Sequence, residues 1–203
     1  KPMFISTAMT NIREVQDAVN CVKKYIPTKF VLMQCTGNYP SKNLDSNLKV
    51  MLTYKKNFKC LYGYSDHTLD FINPVAATAL GASVYEKHFT LDRKLNGPDH
   101  RMSLLPSELK RTIIIIKKTK IALGNEEKEV LDSEKHNRLR LKKSLVTKSF
   151  IKKGEKLNKN KVAIKRPGTG LPPKEIFNII NYVALKDIQA NSVLKQKMLK
   201  RIK

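Results

Sequence analysis

YSDHT at residues 64–68 and VYEKHFT at residues 84–90 decide how this chain is read. Each closes an apolar run and delivers a histidine, His67 and then His88, to a chain reversal. The segment between them, Leu69–Ala82, reads as a helix. Strand, helix, strand with a polar residue at each strand's C-terminal end is how an α/β barrel builds an active site. Two imidazoles placed this way are suitable ligands for a divalent metal. Glu86, two residues before His88, points to the same face if the strand is regular. That carboxylate suits a hydrogen-bond partner of the site, a distant general base, or an ordinary salt bridge to a lysine.

Working outward, the first 124 residues repeat one pattern. Met3–Ser6 is a short apolar strand ending in Ser6-Thr7, and Asn11–Tyr25 has helical periodicity, with Asn11 and Glu14 spaced as a capping box. Phe30–Gln34 is a second strand, Leu44–Lys56 a second helix, and Cys60–Tyr64 a third strand. Phe71–Leu80 is helical, Ala82–Glu86 a fourth strand, and Pro106–Leu123 a last helix stopped by Gly124. Four βα units with continuously apolar strands mean a parallel sheet covered by helices. A doubly wound sheet fits this pattern as well as a barrel does. A complete eight-fold barrel takes about 250 residues, so four units correspond to half of one. The expectation is the second half of a (β/α)8 TIM barrel, the first half preceding Lys1.

Asn125–Leu141 is charged, lacks apolar periodicity and reads as a linker. After it the texture changes: Ser144–Thr147, Ile151–Leu157 and Val162–Lys165 are short strands punctuated by Gly154 and polar turns. Arg166-Pro167-Gly168 follows as a rigid turn that aims a guanidinium outward, and Lys174–Ile180 reads as a short helix. The division is therefore residues 1–124, a linker at 125–141, and a small mostly-β domain at 142–203.

Composition narrows the class. The chain has 203 residues, 41% of them hydrophobic, which excludes wholesale disorder. No apolar run approaches the roughly 18 residues of a membrane span, and the opening Lys1-Pro2-Met3-Phe4, which runs straight into a strand-like segment, is not expected to be a signal peptide. A first residue other than Met points to a start inside a longer protein. The three cysteines, Cys21, Cys35 and Cys60, are unclustered, as expected of reduced thiols in the cytoplasm. Lys and Arg number 40 against 17 Asp and Glu, a net charge of +23. The lysines are scattered rather than interleaved with aromatics, so solvated faces explain them better than nucleic-acid binding. The field still attracts small anions.

Six strings in order, KPMFISTAM (1–9), QCTGNYP (34–40), GYSDHTL (63–69), LGASVYEKHFTLDR (80–93), GPDHRMSL (97–104) and VAIKRPGTGL (162–171), resemble the sialic acid synthase family. That family joins a barrel to a small antifreeze-like (SAF) domain. The resemblance implies condensation of phosphoenolpyruvate with an N-acetylated hexosamine such as N-acetylmannosamine, giving a nine-carbon keto acid and phosphate. It also implies His67 and His88 as ligands of a divalent metal, with manganese the best fit and magnesium or cobalt able to serve. By the same resemblance Ser65, Ser6 and Lys1 contact phosphoenolpyruvate, Tyr39 lines the sugar pocket, and Asp99 holds sugar hydroxyls or metal-bound water. Arg166 matches an arginine that enters the partner's active site in a domain-swapped homodimer.

Two positions depart from the family's strings. Gly37 removes a side chain that often binds phosphate, which a backbone amide or Asn38 could replace, and Ala8 stands where glycine is common. The acceptor sugar is left open, legionaminate and pseudaminate synthesis being the alternatives. A sugar- or anion-binding fragment without catalysis is the competing class. Four βα units alone have two open sheet edges, so this stretch by itself is expected to be inactive or to aggregate.

Overall fold

The computed structural model describes residues 1–27 and 29–202; Lys203, the last residue assigned to the small domain, lies outside them. The chain divides into two compact units, Lys1–Glu126 and Glu127–Lys203.

In the first unit β1 (Met3–Ser6), β2 (Phe30–Cys35), β3 (Leu61–Asp66) and β4 (Val84–Lys87) form one parallel sheet in sequential order. Helices α1 (Ile12–Tyr25), α2 (Val50–Phe58), α3 (Ile72–Ala79) and α4 (Pro106–Leu123) follow the strands in turn. The core shows where they lie. Val15 and Val19 of α1, Met51, Tyr54 and Phe58 of α2 and Ala77 of α3 pack with Phe30, Leu32, Tyr62 and Tyr64, alternate residues of β2 and β3. All three helices therefore cover one face. Sequential order with one covered face is the winding of a barrel; a doubly wound sheet covers both faces and reverses its strand order. Each large apolar side chain buried here stabilises by about 1.5–3 kcal/mol. The opposite face carries Phe4, Val31, Met33, Leu61 and Gly63; Phe4 and Leu61 stay 54% and 57% exposed. At Gly63 the strands approach so closely that a Cβ would lie 2.4 Å from the Val84 carbonyl oxygen.

The capping box at α1 forms: the Asn11 side chain accepts from the Arg13 and Glu14 amides, and Glu14 accepts from the Asn11 amide at 2.7 Å. The helix expected over Leu44–Lys56 is shorter. Asn43–Asp45 is a single 3-10 turn, Asn47 takes a left-handed φ of 40°, and α2 begins only at Val50. The reason is competition: Gln34 claims the Ser46 carbonyl and Asn73 the Ser46 hydroxyl, so this backbone is committed to the sheet end. β3 runs two residues beyond the expected Tyr64 because β2 and β4 pair with it on both sides.

The second unit opens with α5 (Asp132–Leu141), a helix inside the segment read as a linker. Apolar periodicity is absent because its residues are exposed; charge stabilises it instead. Asp132 and Glu134 stand at the positive N-terminal end, Arg138 and Arg140 at the C-terminal end, and Lys135 pairs with Asp132 at 2.6 Å. β5 (Ser144–Thr147) pairs antiparallel with β6 (Val162–Lys165), and β7 (Tyr182–Ala184) with β8 (Leu199–Arg201). The strand expected at Ile151–Leu157 is reduced to single bridges, Ile151 to Ile188 and Lys156 to Val183, because Gly154 turns the chain at φ 83°. The helix expected at Lys174–Ile180 is two 3-10 turns, Pro173–Phe177 and Ile179–Asn181. Leu145, Ile151, Leu157, Ile179 and Leu194 make a separate, fully buried core.

Candidate active site

Alternation along a strand sends neighbouring side chains to opposite faces, and the ends of β3 and β4 show what that does. Tyr64, Asp66, Tyr85 and Lys87 lie on the helix side; Ser65, His67, Glu86 and His88 lie on the open side. Ser65 and Glu86 are partners in register, and the Ser65 hydroxyl donates to Glu86 Oε1 at 2.7 Å. The His67 and His88 rings stand 5.2 Å apart between centroids, nearly edge to face. Glu86 thus binds the serine beside the histidines rather than a lysine.

His67 is 4% exposed, and its Nδ1 donates to the Thr36 carbonyl at 2.7 Å. In a neutral ring that bond keeps the proton on Nδ1, which leaves the Nε2 lone pair for a ligand. Tyr39 lies over the His67 ring at 4.0 Å and meets the His88 ring edge-on at 5.7 Å. Its phenol is pushed up by desolvation and then by Cys35, Asp99 and Glu86, so it remains a donor at neutral pH. The loop that carries it, with a cis Tyr39–Pro40 bond, is latched to the histidine: the Ser41 amide donates to the His67 carbonyl at 2.9 Å. Among the described residues the buried Ser41 hydroxyl behind that latch has no hydrogen-bond partner.

The chain after β4 folds back on itself. Leu104 N donates to the His88 carbonyl and Thr90 N to the Leu104 carbonyl, both at 2.9 Å, placing the 99–104 segment beside the histidine. Asp99 Oδ2 comes within 3.6 Å of His88 Nδ1. Asp99, Tyr39, Ser65, His67, Glu86 and His88 are therefore brought together. Asn38 is exposed on the same loop as Tyr39, and Ser6 ends β1 on the open side, in register with Met33.

Lys1 is a correction. It precedes β1, five residues before Ser6, and so stands near the N-terminal end of a sheet whose other candidates gather at the C-terminal ends. Five extended residues span about 16 Å. At Ala8, where glycine is common in the family, the left-handed residue of the turn is the next one, Met9, with φ 59°, so the Ala8 methyl meets no backbone restriction. The Met9 side chain fills the space beside Gly37, where a Cβ would lie 3.0 Å from Met9 Cγ. Arg166 belongs to the second unit, before a cis bond to Pro167, and its Nε donates to the Leu141 carbonyl at 3.1 Å.

Among the described residues no group of three or more His, Cys, Asp or Glu is arranged to hold a metal ion. What the chain offers is two imidazoles, one with its tautomer fixed, and a nearby carboxylate. This donor set fits a divalent ion whose remaining ligands are water or substrate oxygens.

Sequence reasoning missed the helix side of the same strands. Asp66 is fully buried and faces Lys87 Nζ at 3.5 Å. Its Oδ1 accepts from the Thr68 amide and hydroxyl, both at 2.8 Å, and its Oδ2 from the Tyr85 hydroxyl at 2.6 Å. Burial pushes the Lys87 ammonium down, against the pull of Asp66, and burial beside Asp66 pushes the Tyr85 phenol up. The signal was available: each histidine is preceded by a charged residue that alternation assigns to the other face.

The NeuB family model matches residues 1–128 and the SAF domain model residues 142–200. The chain is 39% identical over 197 residues to N,N'-diacetyllegionaminic acid synthase of Legionella pneumophila, covering 95% of this chain and 55% of that one. It is 34% identical over 200 residues to N-acetylneuraminate-9-phosphate synthase of Homo sapiens, covering 98% and 55%. Among solved structures, N-acetylneuraminic acid (sialic acid) synthetase from Leptospira borgpetersenii serovar Hardjo-bovis superposes with a TM-score of 0.61 at 32% identity, over 67% of this chain and 47% of that one. The chain spans about half the length of the curated relatives it matches. The paired histidines thus stand in a family context, and this chain, with a SAF domain at its C-terminal end, belongs to the NeuB family.

Proposed function

We propose that these residues are the second half of a barrel, with its SAF domain, in a sialic-acid-type synthase that joins phosphoenolpyruvate to the open-chain aldehyde of an N-acetylated hexosamine. The single observation that carries this reading is the pair of imidazoles 5.2 Å apart at adjacent strand ends. A new C–C bond forms between the enol carbon and the aldehyde carbon, whose oxygen takes up a proton. Water adds at the carbon that bore the phosphate ester, and phosphate leaves. Relatives named as N,N'-diacetyllegionaminic acid synthase, pseudaminic acid synthase and N-acetylneuraminate-9-phosphate synthase support this class of reaction.

His67 and His88 would hold a divalent metal, manganese fitting best, and the metal when bound supplies a Lewis acid for the aldehyde oxygen. Ser65, Ser6 and Asn38 would bind phosphate and carboxylate oxygens. In the structure the Ser65 hydroxyl donates to Glu86, so it would reach a phosphate or carboxylate oxygen by turning its one proton away from that side chain. Asp99 would hold sugar hydroxyls or order the attacking water beside His88. Tyr39 would cover the sugar side of both rings and exclude bulk water. Arg166 of one subunit would serve the site of the other in a domain-swapped homodimer.

Phosphate release by the full-length protein, with phosphoenolpyruvate, manganese and a panel of N-acetylated hexosamines, tests the reading. Metal-dependent release with one sugar, abolished in His67→Ala, is expected. A folded protein that releases no phosphate with any sugar would sink the synthase and favour a binding role.

A further inference from the structure

We propose that the buried pair Asp66–Lys87 is a positioning device that sets the spacing of His67 and His88. This inference rests on the histidines' role proposed above. Asp66 and Lys87 are partners in the β3–β4 register, and each is followed at once by one of the histidines. Side chains alternate along a strand, so fixing both residues on the helix side fixes how both imidazoles leave the sheet on the open side.

The restraint is unusually complete. The two side chains are 0% and 3% exposed and lie 3.5 Å apart. Lys87 Nζ also donates to the Thr68 carbonyl, and Tyr85, two residues before Lys87, donates to Asp66 Oδ2 at 2.6 Å. The Thr68 amide and hydroxyl bind the other Asp66 oxygen. His67 is therefore bracketed, its preceding side chain and its following backbone tied into one cluster. Asn73 extends the cluster by donating to Thr68 Oγ1 at 3.1 Å and to Ser46 Oγ at 2.9 Å, tying in the loop before α2.

Stability alone accounts poorly for such a cluster. A buried ion pair can commonly be replaced by well-packed apolar groups without loss, and its best-attested use is to fix register. Here the register in question decides whether two ring nitrogens can converge on one ion.

The test uses the full-length protein with Mn2+ as the probe, its binding followed by electron paramagnetic resonance without substrate. The variants are Asp66→Asn, Lys87→Gln, the double variant, Tyr85→Phe and the His67→Ala control, each checked for folding by far- and near-ultraviolet circular dichroism. Folded Asp66→Asn and Lys87→Gln should bind Mn2+ about 10- to 100-fold more weakly, as for other residues that orient ligands. The double variant should lose no more than either single one. Tyr85→Phe, which removes one hydrogen bond and keeps the pair, should show a smaller loss in the same direction and keeps the test open if the charge variants do not fold. Wild-type Mn2+ affinity in folded Asp66→Asn or Lys87→Gln, with binding abolished in His67→Ala, overturns the positioning role and leaves the proposed metal site standing. Undiminished binding in His67→Ala overturns both.

Discussion

The two faces of β3 and β4 differ more than any two elements of the chain. On the helix side Asp66, Thr68, Asn73 and the Lys87 side chain are buried, Tyr85 is partly buried, and all five are joined by hydrogen bonds. On the open side Ser65, His67, Glu86 and His88 keep acceptors or ring nitrogens unspent. Residues that differ by one position thus live in different environments. Polar groups on one face are satisfied by the protein, and polar groups on the other are held ready for something else.

The sharpest way to break this contrast is Asp66→Ala, which strands the Lys87 charge in the core. It should cost about 3–5 kcal/mol in denaturant unfolding; a cost under about 1 kcal/mol would mean that the helix side is not closed. Tyr85→Phe comes next, at about 1.5–3 kcal/mol for one hydrogen bond to a buried carboxylate that keeps its other partners.

A smaller effect belongs to the start of α4, just past the segment bonded to His88. Burial pushes the Glu108 carboxyl up, but the Leu105 amide and then Arg93, at 2.5 Å, outweigh it and hold it below the usual carboxylate range. A carboxyl with a lowered folded pKa adds stability above its unfolded value, and that stability is lost as pH falls through the folded value. Acid unfolding of Glu108→Gln should therefore differ from wild type at neutral pH and converge with it at the acid end. The least change in stability is expected on the open face. His88→Ala should move the unfolding free energy by no more than about 0.5 kcal/mol, as for a substitution outside the core, while abolishing the metal-dependent phosphate release proposed for the full-length protein. A large destabilisation there would erase the distinction between the faces.

Much of the first unit was legible because its strands are short apolar runs and its helices have periodic faces. Asn11 and Glu14 announced α1, and the two histidines announced the strand ends. What escaped has physical causes. Ser46 and Asn47 look helical in pattern, but Gln34 captures the Ser46 carbonyl and Asn73 the Ser46 hydroxyl. α5 carries no apolar stripe and depends on end charges. β7 and β8 are three residues each, too short for alternation to register. Of the site, Tyr39, Ser65, His67, Glu86, His88 and Asp99 were legible and are neighbours. Lys1 was misplaced because a string match says nothing about which end of a strand a residue occupies. Asp66 and Lys87 were passed over because charge beside an apolar run suggests solvent rather than core.

One consequence follows from the latch between the Ser41 amide and the His67 carbonyl. The backbone that carries Tyr39, two residues ahead of that bond, is tethered to the strand end that the ring covers, while the exposed ring keeps its own side-chain rotation. A displacement of the backbone at Ser41 would therefore pull on the histidine's own peptide. Cover and imidazole seat hang from one shared atom pair, and a change in the loop would be felt first at the carbonyl of His67.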